Sequence, residues 1–214
     1  MATEIERKYL TVSEVWRKGA KGTDYKQGYV AAGDADVRVG ISGNEGYVSI
    51  SGGGREYTYK IPKEDADELL ERLCEAGAVT SAATVRVRTA GGEAYFTIKG
   101  PRDETGIGRD EFEYKIPHQD ALGMHEGFCK TFVEKTRYRV PHGGLVWEVD
   151  EFHGANEGLI VAEVELPAAD HPVSPPSWIG AEVSQDSRYN NSSLAKRPYS
   201  QWKQDNKKCQ TPKP

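Results

Sequence analysis

The sequence predicts an α+β protein in which antiparallel strands, charged on one face, close into a barrel. Three observations predict this. Segment after segment alternates polar and apolar residues with the period of two that a strand imposes. Within a segment the charges are of like kind, R-x-R, E-x-E or K-x-R, rather than the Thr, Ser, Lys and Glu mixture of an ordinary wet face. And one block of strand pattern followed by helix pattern occurs twice.

The chain opens with EIERKYL, in which Glu4, Glu6 and Lys8 share one strand face and Ile5 and Tyr9 the other. Taken alone, this reads equally well as a solvent-facing edge strand. The repeat comes next. Residues 37–52, VRVGISGNEGYVSISG, align without gaps to 85–100, VRVRTAGGEAYFTIKG, and REYTYKIP (55–62) matches DEFEYKIP (110–117), with the register holding to Cys74 and Cys129. Each block reads strand, Gly-rich turn, strand, loop, strand, Pro, helix. KEDADELLERLCEAG is a firm helix with acids at its start and a Gly stop, whereas HQDALGMHEGFCK carries two internal glycines and predicts a weaker one.

The two blocks differ in charge. Gly40 stands where the second has Arg88, Ser51 where it has Lys99, and Thr58 where it has Glu113, while the apolar positions survive in both. The expected organisation is a single domain over 1–202, with a duplicated unit at 36–83 that has lost most charges, a charge-complete copy at 84–131, and a disordered tail at 203–214. In the second copy Arg86 and Arg88 lie opposite Val85 and Val87, and Lys99 lies opposite Phe96 and Ile98. Arg109, Glu111 and Glu113 lie opposite Asp110, Phe112 and Tyr114. Three further strands follow, carrying Lys135, Arg137 and Arg139, then Glu148 and Asp150, then Glu163 and Glu165.

Like charges two residues apart repel, and more strongly where the dielectric falls. Such clusters make sense around a charged guest: Arg and Lys bind phosphate oxygens, and paired carboxylates bind hard divalent cations. Closing the strands removes the sheet edges and surrounds the guest, leaving outward apolar faces for helices to cover. With 214 residues the chain is long enough for one good core, and its net charge of −5 argues against non-specific nucleic-acid binding. No apolar run approaches a membrane span and the N-terminus lacks a signal-peptide pattern. Three widely spaced cysteines without C-x-x-C fit reduced thiols in the cytoplasm.

The ordered series EIERKYL, YKQGYV, VRVR, TIKG, RDEFEY, VEKTRYRVPHGG, WEVDEFHG and VAEVELP, closing on RYNNSSLA, resembles the CYTH superfamily of triphosphate tunnel metalloenzymes, whose signature is E-x-E-x-K. The resemblance implies an eight-stranded antiparallel barrel forming a tunnel with helices outside, the extra repeat being a departure from small members of the family. It also implies divalent-metal-dependent hydrolysis of a phosphoanhydride bond in inorganic triphosphate or a nucleoside triphosphate. Adenylyl cyclisation of ATP and non-catalytic polyphosphate or nucleotide binding are the alternatives. By position, Lys8, Arg86, Arg88, Lys99, Arg109, Lys135 and Arg137 would grip the triphosphate, with Arg139 added on parity. Glu4, Glu6, Asp150, Glu163 and Glu165 would bind Mg²⁺ or Mn²⁺, and Glu111, Glu113 and Glu148 would orient the cations. Lys8, its pKa lowered by neighbouring cations, is a candidate proton acceptor with Tyr29 as its partner. No membrane or nucleic-acid partner is expected.

Overall fold

The computed structural model describes residues 2–30 and 33–202; the tail expected at 203–214 lies outside them. Strands β1 (Ala2–Thr11) and β2 (Gly22–Val30) lead into β3 (Asp36–Ser42), β4 (Glu45–Gly52), β5 (Arg55–Ile61) and helix α1 (Lys63–Arg72). The short strands β6 (Cys74–Glu75) and β7 (Ala78–Val79) precede β8 (Thr84–Ala90), β9 (Glu93–Arg102), β10 (Gly108–Lys115) and helix α2 (His118–Phe128). Then come β11 (Cys129–His142), β12 (Leu145–Phe152), β13 (Ile160–Glu165), β14 (Ile179–Glu182) and the short helix α3 (Asn191–Lys196).

Strand pairing runs β10-β9-β8-β2-β11-β12-β13-β1-β14, and β1 also pairs with β10. Eight strands therefore close into an antiparallel barrel, with β14 attached beside β1. A second, five-stranded sheet has the order β5-β4-β3-β7-β6. By compactness the chain divides into a unit formed by the residues up to Glu4 with Gln27–Phe132, and a unit formed by Ile5–Lys26 with the residues from Val133 on.

In the first unit, β8, β9 and β10 form a meander whose Val85, Val87, Phe96, Ile98 and Phe112 share one buried cluster with Val37, Val39, Val48 and Ile50 of β3 and β4. The β8–β9 hairpin turns at Gly91 and Gly92, both at positive φ (56° and 93°), which glycine adopts without a steric penalty. Helices α1 and α2 each start directly after a proline, with acids in the first turn complementing the helix dipole: Glu64 and Asp65 in α1, Asp120 in α2.

The two internal glycines predict a weak α2, yet it runs for 11 residues against 10 for α1. The reason is tertiary. A Cβ on Gly123 would lie 2.2 Å from the Tyr57 hydroxyl, and one on Gly127 would lie 3.4 Å from the Arg55 side chain, so the glycines let β5 side chains approach the helix backbone.

In the second unit, β11, β12, β13, β1 and β14 lie side by side. Tyr9, Trp147, Val149, Ala162, Val164 and Trp178 pack on one face of them, joined by Trp16 from the turn after β1. Parity leaves Glu6, Lys8, Lys135, Arg137, Glu148, Asp150 and Glu163 on the opposite face.

Candidate functional site

In the second unit, strand register assembles a charged cluster. Across β1–β13, Lys8 stands opposite Glu163 and Glu6 opposite Glu165; across β12–β13, Glu148 stands opposite Glu163. Across β11–β12, Arg137 stands opposite Asp150 and Arg139 opposite Glu148. Arg137 is the hub. Its Nε and Nη2 donate to the two oxygens of Asp150 at 2.6 Å each, Nη2 donates to Glu163 at 2.7 Å, and Nη1 reaches Glu148.

Lys135 donates to Asp150 and Lys8 to Glu163, and Lys8 Nζ also lies 3.0 Å from Glu6. Asp150 is wholly buried, and Lys8 and Lys135 are nearly so. The Tyr25 ring lies under the cations, 5.5 Å from the Arg137 guanidinium and 6.0 Å from Lys135 Nζ. Arg139 is different: its side chain is 69% exposed and its Nε lies 3.7 Å from Glu148. Glu165 is also exposed.

The first unit carries its own cluster. Glu4 accepts from Lys99 Nζ at 2.8 Å and from Arg109 Nε at 2.9 Å. Lys99 also donates to Glu111 at 2.6 Å. Glu113 spans two arginines, accepting from Arg86 Nη2 at 2.9 Å and from Arg88 Nη2 at 2.7 Å. Register sets Thr97 between Arg86 and Glu113. Its buried hydroxyl accepts from Arg86 at 3.1 Å and donates to Glu113 at 2.9 Å. Gln27 Nε2 donates to the Tyr29 hydroxyl at 2.7 Å.

These surroundings fix the protonation states. Burial alone would lower the pKa of Lys8, but Glu163 and Glu6 outweigh it and hold the ammonium above the ordinary lysine range. Sequence reasoning expected the reverse, from neighbouring cations. The error is in the neighbours: the nearest charges are carboxylates, one of them two residues away on the same strand. Glu163 is held well below the carboxylate range, because Lys8, Arg137 and Lys135 overcome the effect of its burial. Burial and then the Arg137 charge bring Lys135 down to about 8, with Asp150 opposing. Glu111 is pushed up by burial and by Glu4 beside it, while Glu4 itself is pulled down by Lys99 and Arg109 despite its burial.

Every site residue expected from the sequence thus falls into one of the two clusters except Tyr29, which pairs with Gln27, and Arg139 and Glu165, which reach the exposed margin of the second. Sequence reasoning missed Gln27, Tyr25, Thr97 and Ser184, whose Oγ accepts from the Lys8 backbone N–H at 3.0 Å. All four are uncharged and resemble ordinary strand or loop residues. The signal that was present is parity, since Thr97 and Gln27 lie two residues from Lys99 and Tyr29.

Residues 74–199 match the CYTH domain, more than half of the chain. The chain belongs to the CYTH family. This CYTH protein is 35% identical over 205 residues to an inorganic triphosphatase of Acetivibrio thermocellus, an alignment covering 95% of the chain and all of the relative. It is 36% identical over 120 residues to an inorganic triphosphatase of Nitrosomonas europaea, covering 54% of the chain and 77% of the relative. Among solved structures, an inorganic triphosphatase crystal structure is 26% identical and covers 91% of this chain and 95% of its own, with a TM-score of 0.49.

Proposed function

We propose that this CYTH protein hydrolyses the phosphoanhydride bonds of inorganic triphosphate. The carrying observation is the 35% identity to an inorganic triphosphatase across that relative's whole length. The two clusters supply the chemistry such a substrate needs. Arg86, Arg88, Lys99 and Arg109 in one, and Lys8, Lys135 and Arg137 in the other, are held in place by carboxylates and offer N–H donors to phosphate oxygens. Stabilising charge on phosphoryl oxygens with donors fixed in advance is the main catalytic task in phosphoryl transfer.

Divalent metal dependence belongs to the same reading. The donor set fits a hard cation, since it consists of carboxylate oxygens. Like-charged residues stand opposite each other twice: Arg137 already bridges Glu148 and Glu163, and a cation between Glu6 and Glu165 would relieve the other pair. Among the described residues no three such side chains are gathered into a ready metal nest, because the carboxylates are turned to lysine and arginine. Glu6, Glu163 and Glu165 would hold the ion, and Glu4 is a further candidate; Mg²⁺ and Mn²⁺ are the ions to test. A bound divalent ion supplies charge neutralisation on the phosphate oxygens. Asp150 is enclosed by Lys135 and Arg137 and, unlike Glu163, has no exposed surface, which supports an orienting role over ligation.

Lys8, kept charged by Glu163 and Glu6, serves as a phosphate contact rather than as a base in the substrate-free protein. Tyr29, whose hydroxyl accepts from Gln27, keeps the role of partner to Lys8 that the family resemblance implies. Arg139 and Glu165 are exposed at the margin of their cluster, which suits a first contact with substrate or ion. A cytoplasmic location is part of the proposal, supported by the free thiols Cys74 and Cys129; among the described residues no helix is long and apolar enough to cross a membrane.

The test incubates the protein with inorganic triphosphate, and separately with ATP, each with Mg²⁺ or Mn²⁺. Free phosphate from triphosphate is expected. Cyclic AMP from ATP, or tight binding without product, would overturn the assignment.

A further inference from the structure

Residues 36–61 and 84–115 form the same meander in the same register. Val37 pairs with Ile50 and Val85 with Ile98; Val48 pairs with Tyr59 and Phe96 with Tyr114. In the alignment of the two blocks, Tyr59 corresponds to Tyr114, Asp65 to Asp120, Gly52 to Gly100 and Leu73 to Phe128. The contacts between the blocks cross over in a reciprocal way. Tyr59 of the first donates to Asp120 on α2 at 2.8 Å, and Tyr114 of the second donates to Asp65 on α1 at 3.1 Å. A Cβ on Gly52 would lie 3.3 Å from Phe128, and one on Gly100 would lie 3.5 Å from Leu73.

The aligned positions 55 and 110 repeat the pattern: Arg55 packs on Gly127 of α2, 3.4 Å from where a Cβ would sit, and Asp110 meets Arg72 of α1, the residue aligned with Gly127, at 2.8 Å. Residue i of one half touching j of the other, and j of the first touching i of the second, is the signature of a two-fold, isologous interface. Here it lies within one compact unit of one chain.

We propose that residues 36–83 and 84–131 are duplicated halves packed as an isologous pair, and that the first half is a built-in partner bracing β9 and β10 of the second. Bracing follows from strand parity. Tyr114, held by Asp65, adjoins Glu113, whose two oxygens fix Arg86 and Arg88. Gly100, packed on Leu73, adjoins the buried Lys99. Asp65 is thus a positioning residue that acts through Tyr114 on the opposite face of the strand. Burial, together with the facing carboxylate, pushes both phenols above their usual range, so both remain protonated donors. The mirror bond from Tyr59 adjoins Thr58, and no charged residue of the site.

The bracing half of the proposal rests on the triphosphatase reading; the pairing half does not. In the full chain, two double-mutant cycles, Tyr59→Phe with Asp120→Asn and Tyr114→Phe with Asp65→Asn, are followed by urea unfolding. Coupling of the same sign and comparable size in both is expected, and absence of coupling in either overturns the isologous pair.

Triphosphate binding and turnover are measured on the same proteins with Mg²⁺. Tyr114→Phe and Asp65→Asn are expected to raise KM and weaken binding about threefold to tenfold, with Tyr59→Phe within about twofold of the parent. An equal response from Tyr59→Phe and Tyr114→Phe overturns the brace. A parent chain that neither binds nor cleaves triphosphate removes the brace along with the proposed function, leaving the cycles to judge the pair alone.

Discussion

The faces of β3–β5 and β8–β10 that point away from their shared core are two versions of one surface. Arg38, Ser49 and Thr58 stand in the register positions of Arg86, Thr97 and Glu113. Arg38 turns to the nearby Asp36 and leaves 59% of its side chain in solvent. Arg86, on the same backbone, is only 10% exposed and is held by Glu111, Glu113 and Thr97. An arginine in a strand is therefore not a site by itself. Carboxylates two strands over, on β10, turn it into a fixed donor; the first block keeps Glu56 in the place of Glu111 but has Thr58 in that of Glu113, and its Arg38 stays on Asp36.

The sharpest test of this contrast pairs Arg86→Ala with Arg38→Ala. Losing a fixed donor to developing phosphoryl charge costs on the order of 10²–10³ in kcat where the donor is used. That loss is expected for Arg86→Ala in phosphate-release assays, and comparable loss from Arg38→Ala would break the comparison. Next in size is Glu113→Thr, which writes the first block's residue into the second. It removes the carboxylate the two guanidiniums share, leaving Arg86 only Glu111 and Thr97, and about a tenfold drop in kcat/KM is expected with the chain still folded by circular dichroism. Retained activity would show that the arginines need no orienting carboxylate.

A pH titration of stability, in chelator and without substrate, reads the same principle in Glu4 and Glu163. Both have folded-state pKa values depressed below the ordinary carboxylate value of about 4.3. Their stabilisation is therefore fully present above that value and is lost as pH falls through the folded values. Denaturant midpoints should fall below about pH 4.3, and the fall should be shallower in Glu163→Gln. An unchanged slope would remove Glu163 from the linkage. The smallest effect belongs to Arg38→Ala itself, expected to leave turnover within about twofold and, as an exposed substitution, to leave stability nearly unchanged.

Most of the charged site was readable from the sequence because a strand's period of two is rigid: once Glu4, Arg86 or Arg137 is placed on a face, its neighbours at two-residue steps follow. The like-charge runs added the chemistry. Closure of the ring was read from the like-charge faces and the count of eight strands from family resemblance; which strands close it was not readable, because the pairing of β1 with β10 joins residues about a hundred positions apart and leaves no local mark. Protonation was misread at Lys8 for the same reason, since its decisive partner Glu163 lies 155 residues away. Glycines 123 and 127 misled in the other direction. They lower helix propensity, but the close approach of Tyr57 and Arg55 needs them, and packing overrides propensity.

The enclosure of Asp150 by Lys135 and Arg137, repeated by Glu163 with Lys8 and Arg137, has a consequence for ionic strength. The cations of this cluster carry fixed counter-ions from the protein itself. A polyanion that binds a bare basic surface releases mobile salt ions, and its affinity falls steeply as salt is added. A polyanion entering this cluster exchanges places with glutamate and aspartate instead, so few salt ions are set free. Triphosphate affinity should accordingly vary with potassium chloride much less than the number of arginines and lysines suggests.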